Sequence, residues 1–86
     1  MNDIESGVKS YILEQFLPTT NPDELSATTP LIGGGILDSL ATVRLVVFLE
    51  GRFGIEIQAH EVNAENLDTL ERISALIRRK QVATGP

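Results

Sequence analysis

The chain has 86 residues, of which 42% are hydrophobic and 22% charged, and a formal net charge of −5. That length suits one domain, burying about 60–65% of its unfolded surface and worth roughly 4–13 kcal/mol of stability, too little material for a deep enzyme cleft. The acidic balance argues against nucleic acid, the absence of cysteine excludes disulfides and thiolate sites, and no apolar run approaches the ~20 residues that span a membrane.

Asn2 and Glu5 have the spacing of a capping box, with Asn in place of the usual Ser or Thr. Ile4, Val8, Tyr11, Ile12 and Phe16 follow with helical spacing, which predicts a first helix over about 3–17. It ends at Leu17 because Pro18 disfavours helical geometry in the residue before it. The stretch from Pro18 to Ile36 is rich in Thr, Asn, Pro, Asp and Gly and reads as a loop. Leu25, Leu31 and Ile32 are its apolar exceptions and are expected to pin it to the core. A loop this long is either functional or disordered, and its anchors favour the first.

The loop ends in Gly33-Gly34-Gly35-Ile36-Leu37-Asp38-Ser39-Leu40. Glycines permit a sharp approach to a helix start, and Asp and Ser are both good N-cap residues. The partial positive charge and free N–H groups of that end favour a phosphate. A second helix is predicted over about Ser39 to Phe53. At ~100° per residue, Leu45, Val46, Leu49 and Phe53 form a core stripe, while Leu40, Val43 and Val47 form a second on roughly the opposite side. A surface helix ordinarily has one apolar stripe and a polar back. The second stripe, beside Ser39, therefore reads as a contact surface.

Gly54 is placed to end that helix. Ile55-Glu56-Ile57 is too short and solitary for a sheet, so it reads as an extended segment whose isoleucines plug the core. Asn63 starts one short helical turn, and Asp68 with Glu71 again has capping-box spacing. Leu70, Ile73, Leu76 and Ile77 form the last buried stripe, with Arg78, Arg79 and Lys80 where cations favour a helix C-terminus. The expectation is an all-α fold of three main helices and one short one, in a single domain over 1–86. Its ordered core spans about 3–80, and 81–86 form a flexible tail.

The order of these elements from Leu31 to Ile77 resembles the acyl carrier protein family. The resemblance lies in Gly-Ile-Leu-Asp-Ser-Leu, the hydrophobic helix, Phe-Gly-Ile-Glu-Ile and then Asn-Leu-Asp-Thr-Leu before a last helix. It implies a small helical bundle whose Ser39 carries covalent 4′-phosphopantetheine taken from coenzyme A. Asp38 would help present that serine to a phosphopantetheinyl transferase and its magnesium-bound substrate. Leu40, Val43, Arg44 and Val47 would form the partner-recognition patch. The other partners implied are an acyl- or aminoacyl-loading enzyme and a downstream synthase or transferase. The core residues Leu45, Leu49, Phe53, Ile57, Leu70, Ile73 and Ile77 would also border a shallow space for cargo.

The expected protein is a discrete monomeric carrier, cytoplasmic because no basic-then-apolar leader opens the chain, and not an enzyme. Two blander readings of Ser39 stand beside this: a simple N-cap, or a catalytic serine. The second lacks a base, since the only histidine, His60, lies in a polar connection without companions. Another class altogether is an unmodified helical interaction module whose second stripe holds a partner. From Asp38 to Glu56 the charged residues are Asp38, Arg44, Glu50, Arg52 and Glu56, only weakly acidic. Carriers of housekeeping fatty acid synthesis are typically more acidic there. The pattern favours polyketide, nonribosomal-peptide or aminoacyl-transfer biosynthesis, with primary fatty acid synthesis as the alternative.

Overall fold

The computed structural model describes residues 2–83. Four helices, α1 (Asp3–Phe16), α2 (Ser39–Phe53), α3 (Ala64–Leu67) and α4 (Leu70–Ala83), are joined by loops containing two 3-10 turns, Pro22–Glu24 and Ala59–Glu61. Neither 3-10 turn was evident in the sequence. The all-α expectation holds, and the described residues contain no strand.

The capping box at the start of α1 forms in both directions. Asn2 Oδ1 accepts from the Glu5 amide at 2.7 Å, and Glu5 Oε1 accepts from the Asn2 amide at 3.0 Å. Glu5 is buried, which a carboxylate tolerates only with partners, and this exchange supplies one. Asn2 Nδ2 also donates to Ser74 Oγ of α4, the other buried polar side chain among the described residues. The cap thus ties the first helix to the last. Leu17 ends α1 one residue earlier than predicted.

Val8 and Ile12 of α1, Leu45 and Leu49 of α2, and Leu70, Ile73, Leu76 and Ile77 of α4 have no solvent exposure. Each such aliphatic side chain contributes roughly 1.5–3 kcal/mol by leaving water. Tyr11, Phe16, Val46 and Phe53 pack around them half-buried. Leu25 and Leu31 carry the long loop into the core, and Ile32 packs against it from outside. Ile55 and Ile57 are buried from an extended segment, which the Ile57 amide fastens to Glu50 Oε2 at 3.0 Å. Of the residues expected to border a cargo space, Leu45, Leu49, Leu70, Ile73 and Ile77 are shut off from solvent, and three grooves open along α2 and at the loop before it.

Two boundaries near the C-terminus differ from expectation. Asp68 and Glu71 do not cap α4 together. Instead Thr69 Oγ1 accepts from the Arg72 amide at 3.0 Å, and the Glu71 amide donates to the Ala27 carbonyl at 3.0 Å. The Asp68 carboxylate is turned towards the glycine loop, which removes it from capping duty. The helix also continues through Ala83, so Gln81, Val82 and Ala83 belong to α4 and not to a tail. Arg, Lys, Gln and Ala are all strong helix formers, and nothing in that run breaks the pattern. Positions 84–86 of the expected tail lie outside the described residues.

The cations of α4 do more than face its C-terminal end. Arg79 Nη2 donates to Asn66 Oδ1 at 3.1 Å, Arg72 Nη1 donates to the Ala64 carbonyl at 3.2 Å, and Lys80 pairs with Glu61. The Lys80 ammonium holds the Glu61 carboxyl below the usual carboxylate range. These bonds bind α3 and the second 3-10 turn to the last helix.

Candidate attachment and recognition site

The glycine loop is held at several points. Asp68 Oδ1 accepts from the amides of Ile32 at 2.8 Å and Gly33 at 2.9 Å, and the Leu31 amide donates to the Asp68 carbonyl. The Leu31 carbonyl then accepts from the amides of Ile36 and Leu37, each at 2.9 Å. The amide of Gly33, with that of Ile32, holds the Asp68 carboxyl below its ordinary range. These bonds therefore persist at neutral pH and loosen only as the pH falls through that lowered value.

Two of the glycines are required by geometry. Gly35 has φ +80°, a conformation that side-chain-bearing residues rarely adopt. A Cβ on Gly34 would lie 2.4 Å from the Pro30 carbonyl oxygen, a clash with backbone. A Cβ on Gly33 would meet nothing closer than 3.6 Å. Gly34→Ala is therefore expected to cost about 1–3 kcal/mol, with each kcal/mol lowering the melting temperature by about 4–8 °C. Gly33→Ala should melt close to the parent. Equal melting of the two in differential scanning calorimetry would refute the close approach at Gly34.

The loop delivers the chain to α2. Asp38 is extended at φ −81°, ψ −175°, and its Oδ1 accepts from the Ala41 amide at 2.8 Å, which makes it the N-cap. Its carbonyl accepts from the Thr42 amide at 2.9 Å and from Thr42 Oγ1 at 2.8 Å. The simple-cap reading of Ser39 is corrected by this: Asp38 holds that post, and Ser39 is the first residue of the helix. Ser39 is exposed, and its hydroxyl takes part in no hydrogen bond. Beside it runs an open groove of about 520 Å³, bordered by Ile32, Leu37, Asp38, Ser39, Thr42, Val43 and Val62.

The two faces of α2 separate as the periodicity predicts. Leu40, Val43 and Val47 are 62%, 58% and 64% exposed, whereas Leu45 and Leu49 are wholly buried. Arg44 is exposed with the first group. The surface extends further than the sequence suggested. A groove between α1 and α2 is lined by Tyr11, Val43, Arg44, Val47 and Phe48, and another by Phe16, Asp38, Leu40, Ala41 and Arg44. Tyr11 and Phe48 stack with ring centroids 4.0 Å apart and planes 9° apart, and the Tyr11 hydroxyl donates to the Arg44 carbonyl at 3.2 Å. Tyr11, Phe16 and Phe48 are half-buried, and helical spacing alone places such residues in a core rather than at its edge. His60 is exposed, and no cluster of His, Cys, Asp and Glu among the described residues could hold a metal ion. No helix among those residues is long and apolar enough to cross a membrane.

A short helical bundle with an unengaged hydroxyl at one helix start and an exposed apolar stripe beside it has the form of a carrier. The comparisons agree. The family described as "Phosphopantetheine attachment site" matches residues 11–77, and the chain belongs to that family. It is similar to the D-alanyl carrier protein of Lacticaseibacillus casei (strain BL23), 28% identical over 79 residues that cover 90% of this chain and 98% of that one. It is also similar to the probable acyl carrier protein PigG of Serratia sp. (strain ATCC 39006), 34% identical over 76 residues, covering 88% and 86%. Among solved structures, one described as "Crystal structure of FAD-dependent dehydrogenase" contains a chain that superposes with a TM-score of 0.74 at 34% identity, covering 81% of this chain and 97% of that one. This protein is therefore a carrier of the acyl carrier protein class, bearing covalent 4′-phosphopantetheine and not itself an enzyme. Carriers of this kind work with a phosphopantetheinyl transferase and with loading and downstream enzymes.

Proposed function

We propose that Ser39 is the attachment residue and that the carrier serves specialised acyl or aminoacyl biosynthesis. The observation that carries the first part is the division of labour at the start of α2: Asp38 caps the helix, which leaves the adjacent Ser39 hydroxyl exposed and unengaged. The residues fit a phosphodiester. The oxygen is accessible, the positive end of α2 lies beneath it, and the groove alongside is open to solvent. In the attachment step Ser39 Oγ attacks the pantetheine-bearing phosphorus of coenzyme A. The pyrophosphate bond breaks, adenosine 3′,5′-bisphosphate leaves, and the serine proton passes to a base on the transferase. Asp38 presents the serine by fixing it as the first helical residue. When bound, the arm supplies the thiol that the chain lacks, and that thiol holds the cargo as a thioester.

Leu40, Val43, Arg44 and Val47 form the recognition patch for the transferase, the loading enzyme and the downstream synthase or transferase, and their exposure supports this. The specialised setting is supported by the D-alanyl and PigG relatives and by the weak acidity of α2, since charge complementarity governs partner choice and encounter rate. The solved relative adds a class of downstream enzyme. Its chain is almost entirely covered by this 86-residue one, far too short for a flavoprotein, in a structure described as an FAD-dependent dehydrogenase. An FAD-dependent oxidation of the tethered group is therefore among the steps this carrier serves. It acts as a single domain and a monomer, in the cytoplasm where coenzyme A is available.

Intact-mass measurement after incubation with coenzyme A and a competent phosphopantetheinyl transferase tests the reading. The expected result is one added phosphopantetheine, localised by fragmentation to the peptide containing Ser39. An unchanged mass with several competent transferases would favour the unmodified interaction module instead.

A further inference from the structure

We infer that Asp68 is a positioning residue for phosphopantetheine attachment, fixing the loop wall of the groove beside Ser39. The inference rests on the attachment reading above. Asp68 is separated from Ile32 by 36 residues, yet one of its carboxylate oxygens accepts from two consecutive loop amides while its backbone carbonyl accepts from a third. No other residue of the described chain holds the loop at three successive positions, Leu31, Ile32 and Gly33.

The hold passes directly to the site. Ile32, whose amide Asp68 binds, is itself part of the groove that borders Ser39. Leu31, bound through the Asp68 carbonyl, holds the amides of Ile36 and Leu37 in turn. Leu37 also lines the groove, is almost fully buried, and immediately precedes the Asp38 cap. Between these ties lie Gly34 and Gly35, residues of the type with the most backbone freedom to lose on ordering. A glycine loop next to a reacting hydroxyl explores many positions unless it is fastened from elsewhere, and Asp68 is the fastening. The exposed stripe of α2 is built without it. Loss of Asp68 therefore leaves docking intact and disturbs the geometry in which the docked serine reacts.

The experiment compares Asp68→Ala and Asp68→Asn with the parent, using coenzyme A, a phosphopantetheinyl transferase and steady-state kinetics. Asp68→Ala is expected to lower kcat about tenfold with KM nearly unchanged, because misplacement around a reacting group slows the step more than the binding. Asp68→Asn keeps an acceptor oxygen and should restore part of that loss. In the NMR spectrum the Ile32 and Gly33 amide protons should move upfield in both variants, since a bond to a carboxylate is stronger than one to a neutral oxygen. Ile73→Val, a core change in the following helix, α4, at a residue with no hydrogen bond to the loop, serves as a control for general destabilisation and should leave kcat unaltered.

Parental kcat in a folded Asp68→Ala overturns the inference, as does an equal fall in Ile73→Val at a matched melting temperature. If Asp68→Ala fails to fold, Asp68→Asn decides: unmoved amides, or moved amides with parental kcat, overturn it. If the parent itself gains no mass, the attachment reading falls and the positioning role with it. The amide shifts then still report whether the carboxylate holds the loop.

Discussion

Ser39→Ala is expected to fold as the parent does and to gain no mass with transferase and coenzyme A. The two halves of that result have separate causes. The fold is spared because the Ser39 side chain is exposed and its hydroxyl makes no hydrogen bond, and Asp38 keeps the cap in place. Alanine is also the best helix former, so the change in stability should stay within about 0.5 kcal/mol. Modification is lost completely because alanine offers the phosphorus no oxygen, and the other hydroxyl of the groove, that of Thr42, is engaged with the Asp38 carbonyl. Asp38→Ala provides the contrast: it should cost about 1 kcal/mol through the lost cap, and slow modification without abolishing it. Circular dichroism, thermal melting and intact mass separate these outcomes. Phosphopantetheine on Ser39→Ala would place the attachment elsewhere in the chain.

Leu49→Asp is expected to unfold the domain, whereas Val47→Asp should leave the helical spectrum and melting temperature almost unchanged and weaken loading by partner enzymes. The residues lie two positions apart on one helix but on opposite faces. Leu49 has no solvent exposure and Val47 is 64% exposed. Removing a buried leucine side chain costs about 2–5 kcal/mol before the charge is counted. An unpaired carboxylate in that position adds several kcal/mol more, or takes up a proton to avoid it. Together these match the roughly 4–13 kcal/mol available to a chain of this length. At Val47 the carboxylate stays in water, so its effect falls on enzymes that dock there. If Val47→Asp proves the more destabilising by circular dichroism, the assignment of the two faces is reversed.

Helical periodicity made α1, α2 and α4 legible because each buries a stripe that recurs every three or four residues. The stripe of Val8 and Ile12, that of Leu45 and Leu49, and that of Leu70, Ile73 and Ile77 lie where spacing puts them. Local chemistry also marked the Asn2 box, the Asn63 cap and the left-handed Gly54, since each involves residues no more than four apart. Asp68 escaped for the opposite reason. Its spacing to Glu71 satisfies a local rule, but its partners sit in a loop that only the folded chain brings near. Val62, Phe16 and Tyr11 joined the grooves in the same way, through packing between segments distant in sequence. At the start of α2 both Asp38 and Ser39 had cap chemistry. The extended backbone at Asp38 decided which took that role.

The face-to-face stack of Tyr11 on Phe48 gives the molecule a built-in optical label. Tyr11 is the only tyrosine and there is no tryptophan, so emission excited at wavelengths longer than phenylalanine absorbs comes from one ring. That ring borders the same groove as Val43 and Val47. An enzyme that lacks tryptophan at the contact and settles on this face would change the ring's polarity and quenching, and encounter could be timed without attaching a dye.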